Sequence, residues 1–124
     1  MKLSTAASAF LSFGIDVAFV VVFVLIGRAS HREDLAGSIN TLWPFVVGLA
    51  VGWVVARAWR SPQALVWTGI TVWAVTVVVG MLLRAASRQG VEVAFVIVTV
   101  IVLAVFLLGW RALSRLFRRR MSRA

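Results

Sequence analysis

The residue with the clearest chemical potential is a carboxylate inside a long apolar run near the start of the chain. Asp16 follows Ser4, Ser8 and Ser12 at steps of four, so these side chains share one slowly drifting face of a helix. Two interpretations are open. The face is a polar path along which protons or cations reach a titratable group, or it is a stripe of small residues packed against a neighbouring helix, with the acid hydrogen-bonded to a hydroxyl or amide.

An acid in such a run is either protonated or paired with a donor. An aspartate at the centre of a bilayer costs about 2.5–3.5 kcal/mol on insertion scales. We therefore expect Asp16, near the middle of its run, to face other helices rather than lipid. The candidate donors at similar depth are Trp73 and Thr76 in the third run and Thr99 in the fourth. Together with Ser12, these residues form the predicted buried polar site.

A second polar group lies between the apolar runs, on what we call the outer rim. Glu92 is placed to pair with Arg84 or Arg88, and His31 is a titratable member of the same group. The rim is either an anion or headgroup site, or a set of ordinary interfacial ion pairs. Its members are Arg28, His31, Arg84, Arg88 and Glu92.

The end of the chain combines an apolar stripe with many arginines. Trp110, Leu113, Phe117 and Met121 follow helical spacing. This pattern predicts that the fourth helix continues into a basic amphipathic tail whose arginines contact anionic lipid headgroups. The alternative is that the arginines act only as an orientation signal. They are Arg111, Arg115, Arg118, Arg119, Arg120 and Arg123.

Composition places these groups in a membrane protein. The 124 residues are 62% hydrophobic and 14% charged, against about half and about a quarter in ordinary soluble domains. The absence of cysteine excludes disulfides and zinc thiolate sites. The net charge of +9 lies in loops and tail, which favours a membrane surface over nucleic acid. No catalytic motif or metal-ligand spacing occurs, so we expect no enzyme, no cofactor and no metal.

Four apolar runs are long enough to position these residues in a bilayer. A hydrocarbon core of about 30 Å needs about 20 residues of helix. We predict one all-α domain over 1–124, an antiparallel bundle of four transmembrane helices, with Thr41 capping the second helix and Pro44 in its first turn. The alternative for this boundary is a short interfacial helix over 35–42. The helices are expected at about 7–27, 39–58, 64–83 and 91–110, followed by the tail at 111–124.

Charge asymmetry predicts the orientation. Lys and Arg number nine at the two ends and the second loop, and four in the first and third loops. The positive-inside rule then places both ends in the cytoplasm. Trp59, Trp67 and Trp110 would lie at the cytoplasmic interface, and Trp53 and Trp73 deeper, as packing residues.

Short motifs spread over nearly the whole chain resemble one family. Besides Asp16 they are GRASH at 27–31, WPF at 43–45, ARAWR at 56–60, GMLLR at 80–84 and GWR at 109–111. In combination they resemble the domain of unknown function 3054 family, small prokaryotic membrane proteins, many from actinobacteria. The resemblance implies that the protein is located in a prokaryotic cytoplasmic membrane, and it implies no particular activity. It draws attention to Asp16, Arg28, His31, Trp43, Pro44, Arg57 and Arg84.

A looser likeness is to the small multidrug resistance transporters. They also have four short helices and an acid in the first, so Asp16 would take the place of their proton-coupling glutamate. Leu42, Trp43 and Pro44 match a tripeptide that some of them carry. The aspartate, the longer first loop and the nine-to-four charge bias depart from their pattern.

These observations predict a multi-pass integral membrane protein acting as a non-catalytic accessory or structural helix bundle. Its partners would be the lipid bilayer and either a second copy or a larger membrane complex. The alternative function is a proton-coupled small-molecule transporter, working as an oligomer with Asp16 as the exchanging carboxyl.

Overall fold

A computed structural model of the chain describes residues 5–30 and 35–123, which are helical apart from short turns. Helix α1 leads to α2, a 3-10 turn, a π-helical turn that runs into α3, and then α4, which continues through a second π-helical turn into α5. The ranges are α1 Thr5–Ser30, α2 Leu35–Ala56, the 3-10 turn Ala58–Arg60, the first π turn Leu65–Gly69, α3 Ile70–Ala86, α4 Val93–Leu103, the second π turn Ala104–Leu108 and α5 Gly109–Arg123.

Four helical segments in the described residues are long and apolar enough to cross a membrane. They are Ala6–Gly27, Ile39–Ala56, Leu65–Ala86 and Val93–Met121. The last of these includes α4 and most of α5, because the second π turn continues the helix without a break.

The start of α2 differs from the sequence-based expectation. The helix begins at Leu35, so Thr41 lies inside it and is not its N-cap, and Pro44 is its tenth residue rather than part of its first turn. Apolar surroundings favour continuing a helix, because helical backbone satisfies its own hydrogen bonds. The Thr41 hydroxyl accordingly donates to the carbonyl oxygen of Gly37 at 3.1 Å.

Glycines allow α2 and α3 to pack backbone against backbone. A Cβ atom on Gly48 would lie 2.8 Å from the carbonyl oxygen of Thr76, and one on Gly52 would lie 3.1 Å from that of Val72. Gly80 on α3 leaves room for the ring of Phe45, which a Cβ there would approach to 2.5 Å. Gly48 and Gly52 form a GxxxG motif, which allows helix backbones to approach closely.

Aromatic and aliphatic side chains fill the space between the helices. Phe23 of α1, Phe45 of α2 and Phe95 of α4 form a cluster with ring centroids 5.8–6.3 Å apart. Beside this cluster, Leu49 and Leu103 are fully buried. The contacts connect α1 with α2, α2 with α3, α3 with α4 and α4 with α1. Each helix therefore has two neighbours that fix its rotation and direct its polar residues inward.

The close α2–α3 contact predicts the effect of adding one methyl group. Gly48→Ala should lower the free energy of unfolding by about 1–3 kcal/mol, because the new Cβ meets backbone that cannot move without separating the helices. Gly14→Ala is the matched control, since nothing lies within 4 Å of its Cβ position. Equilibrium unfolding in mixed micelles measures both variants, and equal stabilities would contradict the proposed packing.

Candidate functional site

Asp16 forms a buried ion pair with an arginine 95 residues later in the chain. The Arg111 Nη2 donates to Asp16 Oδ2 at 2.7 Å, and Nη1 donates to Oδ1 at 2.9 Å. Both side chains have no solvent exposure. The two parallel bonds make a bidentate pair, the strong form of an arginine–carboxylate contact. A charge that α1 alone would leave uncompensated is thus neutralised by α5.

Two indole groups complete the surroundings of the carboxylate. Trp53 of α2 donates from Nε1 to Asp16 Oδ2 at 2.8 Å, and Trp110 of α5 donates to Oδ1, also at 2.8 Å. Each carboxylate oxygen therefore accepts one bond from the guanidinium and one from an indole. Phe13 packs edge-on against Trp53, with ring centroids 5.1 Å apart, and holds that indole in place.

Two further donors of Arg111 bind backbone carbonyls. Its Nε donates to the carbonyl oxygen of Pro62 at 2.9 Å, and Nη1 also donates to that of Leu107 at 3.0 Å. The guanidinium carbon lies 4.7 Å from the centroid of the Trp110 ring, in a cation–π contact. The arginine therefore connects α1 and the α2–α3 turn, which we define as residues 57–64, to the start of α5.

Local backbone features make room for this arginine. A Cβ on Gly69 would lie 3.2 Å from Arg111 Cδ and 2.9 Å from Leu108 Cδ2, so only glycine lets the arginine stem pass this close. Gly69 ends the first π-helical turn, and Leu107 and Leu108 lie in the second. Such π turns often occur at functional sites, because they redirect side chains relative to a regular α-helix.

The pair lies beside the end of α2 and the turn that follows it, although Asp16 itself is close to the middle of α1. Trp53 is three residues before the end of α2, and Pro62 belongs to the turn that follows it. Asp16 is close to the middle of the apolar segment Ala6–Gly27, as the sequence predicted, whereas α2 is close to its end at this level. We call this end, which holds the α2–α3 turn and α5, the inner end.

The donors predicted for Asp16 are engaged elsewhere. Thr76 and Thr99 donate to backbone carbonyls one turn earlier in their own helices, at 2.6 and 2.7 Å. Trp73 donates to the carbonyl of Val100 at 3.0 Å and ties α3 to α4. Each of these groups has a single proton to donate, so none of the three bonds the carboxylate. Ser12 is buried one turn before Asp16 on the same face.

Three residues that hold the acid were assigned other roles from the sequence. Trp53 was expected as a packing residue and Trp110 as an interfacial one, and both donate to the carboxylate. The placement of Arg111 against lipid headgroups is wrong, because its side chain is fully buried. Arg111 begins an arginine-rich segment, and nothing in its spacing distinguishes it from the arginines that follow. The signal that was available is charge balance, since a buried acid requires a cation.

The outer rim is described only in part, because His31 and the side chain of Arg28 lie outside the described residues. Arg84 donates from Nη1 to Gln89 Oε1 at 3.2 Å, and its guanidinium carbon lies 4.3 Å from the centroid of the Phe95 ring. Arg88, with φ of 60°, and Glu92 are exposed. The pairing of Glu92 with a rim arginine stays a prediction.

The tail arginines other than Arg111 are on the surface of α5. Arg115, Arg118, Arg119 and Arg120 are exposed, and the side chain of Arg123 lies outside the described part of the chain. Contact between these groups and lipid headgroups stays a prediction.

Helices able to cross a membrane, with an ion pair enclosed between them, define the class of an integral membrane protein with several spans. The chain belongs to the family described as Protein of unknown function (DUF3054), whose model matches residues 13–114. That range includes Asp16, Trp53, Trp110 and Arg111. No curated protein and no solved structure matches the chain.

The two indole bonds predict a measurable contribution to stability. Trp53→Phe keeps most of the aromatic surface but removes one donor to a buried charge, so it should cost about 1–3 kcal/mol in the free energy of unfolding. Trp110→Phe should have a similar effect for the same reason.

Trp59→Phe is the control, because the Trp59 side chain is 46% exposed, and its cost should stay within about 0.5 kcal/mol. Equilibrium unfolding in mixed micelles compares the three variants. Equal losses at all three positions would show that the indole donors add nothing to the site.

Proposed function

We propose that this protein is a non-catalytic structural bundle of the membrane, held together by the Asp16–Arg111 pair. The supporting observation is that both carboxylate oxygens accept two hydrogen bonds each, from a bidentate guanidinium and two indoles. Such an arrangement fixes the geometry of its surroundings. It joins α1, the end of α2, the α2–α3 turn and α5 at a single point.

The same contacts argue against the alternative, a proton-coupled transporter. An exchanging carboxyl has to meet water or substrate during its cycle, whereas the Asp16 side chain has no exposure. Protonation would also break the bidentate pair and leave Arg111 buried without its counter-charge. Breaking a buried pair costs about 3–5 kcal/mol, a large barrier for a group that must cycle.

We further propose that the inner end lies at the cytoplasmic side of a prokaryotic cell membrane. Trp59 and Trp67 at this end are 46% and 59% exposed, as expected of rings at a membrane interface. Exposed arginines of α5 extend beyond them. This placement agrees with the larger number of basic residues at the two ends and the second loop.

The outward surfaces support contact with lipid or with other membrane helices. Val54, Leu82, Ile101 and Val105 lie on different helices or turns and are each 56–65% exposed. In an accessory role, part of this surface would contact a second copy of the chain or a larger membrane complex. Copurification in mild detergent followed by mass spectrometry distinguishes these two assemblies.

Proton flux in proteoliposomes tests the structural role. Vesicles containing the full chain and a trapped pH dye are exposed to a potassium diffusion potential. We expect acidification at the rate of protein-free vesicles, because Asp16 is closed to exchange.

Faster proton entry would contradict the proposal if a variant lacking the carboxylate abolished it. Asp16→Asn combined with Arg111→Met suits this purpose, because it removes both charges and leaves no buried ion without a partner.

A further inference from the structure

We propose that the inner end contains a binding site for the phosphate headgroup of an anionic phospholipid. The site is a groove between the α2–α3 turn and α5, with a volume of about 890 Å³. This proposal depends on the proposed function in one point, because it requires the inner end to lie at the bilayer interface. It assigns a particular ligand to particular residues, rather than a general attraction between a basic tail and the membrane.

The groove concentrates positive charge from two elements. Arg60 lines it from the α2–α3 side, and Arg115, Arg118 and Arg119 line it from α5. None of the described residues that line the groove is acidic. Among the described residues, the acid at the inner end is Asp16, and Arg111 already neutralises it. Guanidinium groups bind phosphate oxygens in a bidentate manner, so the charge and the geometry favour a phosphate ligand.

The floor of the groove is held in place by internal hydrogen bonds. Arg111 holds the Pro62 carbonyl, and Ser114 of α5 donates to Gln63 Oε1 at 3.3 Å. Within the wall formed by the α2–α3 turn, the Ser61 carbonyl accepts a hydrogen bond from Thr68 at 2.6 Å. The separation of the two walls is thereby fixed by the same arginine that neutralises Asp16. A preformed site loses less conformational entropy on binding than one that must be assembled around its ligand.

An apolar wall beside the arginines favours a lipid over a soluble phosphate compound. Leu65, Val66 and Trp67 line the groove, and the last two are 67% and 59% exposed. The Trp67 indole is fixed by its Nε1 bond to the Ala56 carbonyl at 2.8 Å. These residues begin a segment that can cross the membrane. A phospholipid places its phosphate and the start of its acyl chains beside each other, which matches a cationic wall next to an apolar one.

The geometry of α5 supplies a matched control. At about 100° per residue, Arg115, Arg118 and Arg119 lie within an arc of about 100°, whereas Arg120 lies about 140° from Arg115. Arg120 lines a different depression, together with Leu113 and Phe117. Two variants with the same change in net charge therefore differ in whether they alter the groove.

Native mass spectrometry of the full chain tests the site, with phosphatidylglycerol and phosphatidylcholine as probes. We expect retention of phosphatidylglycerol only. Arg115→Gln with Arg118→Gln should weaken this binding at least about tenfold, because each arginine near an anionic lipid contributes roughly fivefold. Arg57→Gln with Arg120→Gln changes two exposed arginines that do not line the groove, and it should change this binding less than about twofold. Arg60→Gln, on the opposite wall, gives an independent reduction of about fivefold if the α5 variant folds poorly.

Three outcomes would overturn the proposal. Equal retention of phosphatidylcholine would remove the role of charge, and equal losses in the two double variants would leave only a diffuse effect of net charge. Displacement of phosphatidylglycerol by millimolar inorganic phosphate or a short oligonucleotide would assign the groove to a soluble ligand. The free energy of unfolding of the same variants tests the Asp16–Arg111 pair separately. The groove variants should leave this free energy unchanged, so loss of lipid binding alone would count against the groove and not against the pair.

Discussion

A carboxylate and a guanidinium, both removed from solvent, meet at the inner end of this protein, and the surrounding structure is arranged around their neutralisation. Either charge alone would cost several kcal/mol to bury. The chain offsets this cost with a bidentate contact, two indole donors and two backbone carbonyls, contributed by α1, α2, the α2–α3 turn and the continuous helix that ends in α5. Elements that are distant in sequence therefore have to pack together for the pair to be satisfied.

Glycines allow the close approaches that accompany this arrangement. The arginine stem passes close to Gly69, and Gly48 and Gly52 of α2 let α3 pack backbone against backbone. The arginine also fixes the Pro62 carbonyl, and with it one side of the basic groove. An internal electrostatic contact thus helps to set the shape of the groove on the surface of the protein.

Much of this architecture could be predicted from the sequence, since apolar length alone indicated four segments able to cross a membrane. Asp16 could be singled out because an acid in such a segment needs a partner. Arg111 could not be singled out, because it begins a segment with five other arginines, and the positive-inside rule already accounts for a basic segment there. The hydroxyls of Thr76 and Thr99 had suitable depth in sequence, but they bond backbone in their own helices. Depth counted along one helix does not determine which residues of the others lie beside it.

A double-mutant cycle on Asp16 and Arg111 tests the central claim most directly, with the free energy of unfolding measured in mixed micelles. Asp16→Asn and Arg111→Met should each cost about 3–5 kcal/mol, because each leaves one buried charge without its partner. The double variant has no such charge, so its loss should be smaller than the sum of the single losses by at least about 2 kcal/mol. Additive losses would contradict the account, because they would show that the two residues stabilise the protein independently.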